Sequence, residues 1–95
     1  MEDENTLTRA IDHFGRSSQE WQAVEEIGEL LAALNHVHRG KDAIEHIAEE
    51  IADVEVCLDQ LKIMYGIADK VKFFRDAKIA RLSTRIDREV PREKR

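Results

Sequence analysis

Three glycines, Gly15, Gly40 and Gly66, punctuate the chain at almost even intervals, and its one proline is Pro91. Apart from Gly28, the stretches between them contain no helix breaker. Glycine just past a helix end supplies the left-handed residue that a helix C-cap favours. The spacing therefore predicts an all-α chain of four helices joined by short turns. A sandwich or barrel would need more turns, and more β-branched and aromatic runs, than a chain with four glycines and 5% aromatics contains.

The first helix is expected at roughly residues 5 to 14, with Leu7, Ala10, Ile11 and Phe14 on one face. Ser17-Ser18-Gln19-Glu20 reads as a capping box that opens the second helix, roughly 18 to 38, with Val24, Ile27, Leu31 and Leu34 as its stripe. Asp42-Ala43-Ile44-Glu45 reads as a second box, opening a helix over roughly 42 to 65. Its stripe is Ile44, Ile47, Ile51, Val54, Leu58 and Leu61. Asp69 is the expected cap of the fourth helix, roughly 69 to 88, whose apolar positions include Val71, Phe74, Ile79, Leu82 and Ile86. Residues 1–88 then form a single domain, and 89–95 a frayed tail. The short connection at Gly40 predicts an antiparallel hairpin of helices two and three. Four helices in 95 residues cannot cover one another. A homodimer or homotetramer is the expected way to bury the remaining apolar surface.

Charge is divided unevenly. Residues 1–69 carry 16 acids and 5 bases, a balance of −11, whereas 70–95 carry 10 bases and 4 acids, a balance of +6. The net acidity, −5, and the lack of aromatics interleaved with the bases argue against nucleic-acid binding. The longest apolar run, Leu30 to Leu34, is far too short to span a membrane. The acidic start Met1-Glu2-Asp3-Glu4 lacks the order of a signal peptide, so a cytoplasmic location is expected. Cys57 stands alone, which excludes an internal disulfide and a cysteine-based zinc site.

The chemistry-bearing residues are carboxylates. At about 100° per residue, Glu25, Glu26 and Glu29 share one sector of helix two, where they repel unless water or a cation intervenes. A solvated acidic face is the bland alternative. On helix three, Glu50 and Asp53 lie on a line with His46, Cys57 and Met64 that borders the apolar stripe. Semi-buried carboxylates need a partner, either a divalent cation or the bases of helix four. The hairpin brings the two acidic turns level. Oxygen-only ligands suit Mg²⁺ or Mn²⁺, and the absence of any Glu-x-x-His argues against a ferritin-type di-iron site.

Glu25-Glu26-Ile27-Gly28-Glu29 followed by Glu50-Ile51-Ala52-Asp53 resembles the EExxE…ExxD signature of all-α nucleoside triphosphate pyrophosphatases, in particular the short phage- and prophage-type MazG-like members. The likeness covers roughly residues 7 to 86 and takes in Gly15, Gln19 and Lys78-x-x-Arg81-Leu82. It implies a four-helix MazG-like bundle, completed by oligomerisation, that hydrolyses a (d)NTP to the monophosphate and pyrophosphate with Mg²⁺ or Mn²⁺, in nucleotide-pool housecleaning. By that likeness Glu26, Glu29, Glu50 and Asp53 are metal ligands, and Glu25 is a further ligand or orients the attacking water. Lys78 and Arg81 would meet the phosphates. The carboxylates alone would repel a triphosphate, so they cannot bind it without a cation.

The sister phosphoribosyl-ATP pyrophosphohydrolases carry an aromatic residue and a histidine soon after the ExxD aspartate, where this chain has Val54-Glu55-Val56-Cys57. A non-catalytic helical interaction module is the alternative from another class. Gln19 reads as a base contact or a surface residue of the first turn, and Trp21 as a core residue or a stacking platform for a nucleobase. Gly28 is either tolerated or marks a close backbone approach. His46, one turn before Glu50, can hydrogen-bond a ligand carboxylate, and Cys57 reads as a small core residue.

Overall fold

The computed structural model describes residues 2–41 and 44–89. Among them the chain forms four helices and no strand: α1 (Glu2–Phe14), α2 (Arg16–His38), α3 (Ile44–Tyr65) and α4 (Ala68–Glu89). None is long and apolar enough to cross a membrane.

Gly40 and Gly66 act as the spacing predicts, whereas Gly15 has a positive φ but a ψ of 145°, outside the left-handed helical region. Gly15, Gly40 and Gly66 have φ of 95°, 71° and 63°. At Gly40 and Gly66 the turn closes as a Schellman motif: Lys41 N donates to His36 O and Gly40 N to Val37 O, as Ile67 N does to Lys62 O and Gly66 N to Ile63 O. Gly15 ends α1 by donating to Ile11 O and opens α2 by accepting from Gln19 N.

Two caps differ from expectation. Helix α2 begins at Arg16 with Gly15 as N-cap and no side-chain cap bond, so Ser17 and Ser18 lie inside its first turn rather than capping it. Helix α4 begins at Ala68, which places Asp69 inside the helix, where its charge still favours the positive end of the helix dipole. The cap expected at Asp42 and the tail after Glu89 lie outside the described residues.

Helices α2 and α3 form the expected antiparallel hairpin, with α1 packed on both. Their seam is not the expected stripe on α2, and on α3 it takes in only Ile47, Val54 and Leu61 of the expected one. On α2 the buried residues are Ala23 and Ala33, with Glu26, Leu30 and Val37 half-buried on the same face. Val24, Ile27, Leu31 and Leu34 are exposed. On α3 the seam holds Glu50, Val54, Cys57 and Gln60, with Ile47, Leu61 and Met64 half-buried, while Ile44, Ile51 and Leu58 are exposed. Phe14 and Trp21 are exposed as well. Helix α2 therefore meets α3 through its face of smaller side chains and leaves its bulkier apolar ridge outside.

Helix α4 touches only α3 among the described residues and buries none of its side chains. The radius of gyration, 17.5 Å, is well above the roughly 12 Å of a compact chain of this length.

Candidate metal centre

Hairpin register decides which carboxylates meet. Gln60, buried on α3, donates from Nε2 to Gln19 Oε1 on α2 at 2.7 Å. Ten residues further along α2 and ten back along α3, the same register sets Glu29 opposite Glu50. Glu26, Glu29 and Glu50 each bring one carboxylate oxygen within 4.8 Å of the others. Asp53, expected to be semi-buried like Glu50, is exposed and stands outside that triad, since it lies toward the solvent edge of α3, yet its charge acts on Glu26, Glu50 and Cys57. Glu25 is exposed and outside the triad too.

Glu50 is 8% exposed. Its Oε1 lies 3.5 Å from His46 Nε2, one turn earlier on α3. Its Oε2 is buried without a hydrogen-bond partner, as is Oε2 of Glu26, whose Oε1 accepts from Gln22 Nε2 at 2.7 Å. Burial pushes the Glu50 carboxyl above its ordinary range. Glu29 and Asp53 add to that shift, and His46 opposes it. Burial also raises Glu26, against the Gln22 hydrogen bond and with help from Asp53, Glu29 and Glu50. Cys57 is buried below the cluster, its thiol raised by desolvation and by Glu26 and Asp53.

A buried carboxylate oxygen with no donor incurs the full cost of its lost hydration. Glu26 and Glu50 each keep one such oxygen and stand with Glu29 in a cluster of three carboxylates that is unfavourable without a counter-charge. Oxygen donors on two helices suit an ion that retains several waters, as Mg²⁺ does. The donor set thus fits a divalent cation held by Glu26, Glu29 and Glu50, with Asp53 one turn along.

The structure separates the other candidate residues. Gln19 is half-buried and engaged by Gln60 rather than free on the surface. Trp21 lies exposed on α2 rather than in the core. A Cβ built on Gly28 would meet nothing within 4 Å, so no close backbone approach in this chain requires that glycine. Lys78 and Arg81 are exposed on α4.

Sequence reasoning missed Gln60, although its position three residues after Cys57 places it on the same seam. Tyr65 was missed too. Its hydroxyl donates to Glu20 Oε2 at 2.6 Å, and the Arg16 guanidinium lies 4.6 Å from its ring centroid. With Gln19–Gln60, this cluster pins the start of α2 to the end of α3, the lever that keeps the carboxylates in register.

Compared with family models, curated proteins and solved structures, the chain matches none of them.

Proposed function

We propose that this chain is a Mg²⁺- or Mn²⁺-dependent nucleotide pyrophosphohydrolase of the MazG-like kind, converting a (d)NTP to the monophosphate and pyrophosphate as a homodimer or homotetramer. One observation carries this reading: Glu26 and Glu50, each with a buried, unpartnered carboxylate oxygen, cluster with Glu29 within the EExxE…ExxD pattern. A helical scaffold with no ligand has no use for such an arrangement, which destabilises it.

Glu26, Glu29, Glu50 and Asp53 would hold the cation, which when bound offsets triphosphate charge and makes water a usable nucleophile near neutral pH. Glu25, outside the triad and open to solvent, orients the attacking water or adds a ligand. His46 lies against one oxygen of Glu50, and the other is buried without a hydrogen-bond partner. Gln19, held by Gln60, and the exposed Trp21 lie earlier on α2 and are the residues assigned to the base. Lys78 and Arg81 are assigned to the phosphates by the resemblance.

Pyrophosphate release across a panel of normal and damaged (d)NTPs with Mg²⁺ tests the reading. Glu50→Gln keeps the side-chain shape and removes the charge. It should lower turnover on the order of 100-fold, as removal of a transition-state stabiliser does, while Glu49→Gln, on the exposed side of α3, stays near wild type. Wild-type turnover in both variants, or greater sensitivity at Glu49, refutes it.

A further inference from the structure

Glu26 and Glu50 are supported in the same way on their two helices. On α2, Gln22 stands one turn before Glu26, and its Nε2 donates to Glu26 Oε1 at 2.7 Å. On α3, His46 stands one turn before Glu50, with Nε2 3.5 Å from Glu50 Oε1. In both glutamates Oε2 is the buried oxygen without a hydrogen-bond partner. The spacing follows from helix geometry, because residues four apart lie one above the other on a single face.

The two supports differ in kind. The His46 contact is longer, and it is an ion pair only when the imidazole is protonated. Gln22 donates as a neutral amide, so it engages Glu26 without a positive charge that would compete with a cation. On an ordinary exposed helix a Gln–Glu pair at this spacing contributes little, since water replaces the donor. Glu26 is in a different setting. Its side chain is half-buried, and Glu29 and Glu50 each bring an oxygen within 4.8 Å of one of its own. Their charge pushes the Glu26 carboxylate away from the cluster, toward water. The exposed Gln22 ties Oε1 down against that push and fixes the plane of the group. An N–H donor also favours the ionised carboxylate, the form that a cation takes.

We propose that Gln22 is a positioning residue of the carboxylate centre: by holding Glu26 Oε1, it keeps Glu26 beside Glu29 and Glu50 in the arrangement that a divalent cation meets. Its contribution appears in the affinity for the ion and not in the stability of the metal-free fold. This inference rests on the reading of Glu26, Glu29 and Glu50 as a cation site.

Titration of the metal-free full chain with Mn²⁺, followed by the electron paramagnetic resonance signal of the free ion, tests it. Gln22→Met keeps a long, helix-favouring stem and removes the donor, whereas Gln22→Lys keeps a donor and adds a charge. Both should bind Mn²⁺ about tenfold or more weakly than wild type, the scale on which the partners of metal ligands act. Thermal melting of metal-free Gln22→Met should match wild type. Asn35→Met, exposed on the side of α2 away from α3, is the control and should bind as wild type does. Wild-type affinity in Gln22→Met overturns the inference, even where Gln22→Lys binds weakly, because charge alone then accounts for the effect. A fall in metal-free melting as large as the loss of affinity requires would make Gln22 a structural residue, and overturns it too. The two levels of the reading fail differently. A wild-type chain that binds no Mn²⁺ removes the cation site and this inference with it, whereas equal binding by wild type and Gln22→Met removes the inference alone.

Discussion

Helices α2 and α4 are nearly the same length, 23 and 22 residues, and both carry aliphatic side chains at helical spacing. Yet α2 is locked against α3 through small buried alanines and a part-buried polar pair, while α4 buries nothing. The difference lies in what each helix meets. Amphipathic periodicity states that a face must be covered; it does not state which molecule covers it. The hairpin solves part of the problem within the chain, and in doing so brings together carboxylates that are unfavourable without a ligand.

The largest effect that tests this contrast comes from one substitution made in both helices. Ala33 is 1% exposed, so Ala33→Asp forces an unpaired charge into the seam and should cost about 3 kcal/mol or more, enough to threaten folding of a small domain. Ala80→Asp on α4, an exposed site, should shift stability by no more than about 0.5 kcal/mol. Urea unfolding monitored by circular dichroism compares them, and equal losses would mean that α4 is as firmly packed as the hairpin.

Second in size is the polar pair. Gln60→Ala removes the buried donor to Gln19 and should cost about 1–2 kcal/mol. It should also loosen the register that aligns Glu29 with Glu50, weakening Mn²⁺ binding in a titration by more than its stability loss explains. Unchanged Mn²⁺ affinity would show that the carboxylates hold their places without this pair.

Both effects depend on features that differ in how legible they are in the amino-acid sequence. The four helices, the glycine turns, the hairpin and the levelling of the two acidic turns follow from turn chemistry and spacing, which are local. The α2 side of the seam does not follow. Val24, Ile27, Leu31 and Leu34 form the more hydrophobic ridge, so they read as the core, but Ala23 and Ala33 permit closer approach of α3 and leave the bulky ridge outside. Burial of Glu50 is legible because apolar neighbours flank it. The engagement of Gln19 by Gln60 is not, because it joins residues 41 apart whose meeting depends on the register itself.

A third, smaller effect is pH dependence. Glu26 and Glu50 have folded-state affinities for protons raised above those of free carboxylates. Between the unfolded and the raised folded pKa the native state holds more protons. Stability therefore falls as pH rises through that window, and the loss is complete above it. Apo protein should thus lose stability from this source above the ordinary carboxylate range. Saturating Mg²⁺ should remove the loss beyond a NaCl control of equal ionic strength, and Glu50→Gln should abolish Glu50's share. An identical pH profile with and without Mg²⁺ would separate the carboxylates from any cation.

The smallest expected effect is on α4 itself. Lys72 Nζ lies 2.8 Å from Asp76 Oδ2, one turn apart, with both side chains largely exposed. The base precedes the acid, the weaker orientation for such a pair, because it opposes the helix dipole. A double-mutant cycle on Lys72→Ala and Asp76→Ala should yield a coupling of no more than about 0.5 kcal/mol, lost in high salt. The value of the measurement lies in repeating it at two protein concentrations. On a helix that stays in water, the coupling does not change with concentration. On a helix that a second copy covers, partial desolvation strengthens the pair, and the coupling rises as the chains associate. A coupling that is constant across a range in which the protein assembles would place this turn of α4 outside the interface.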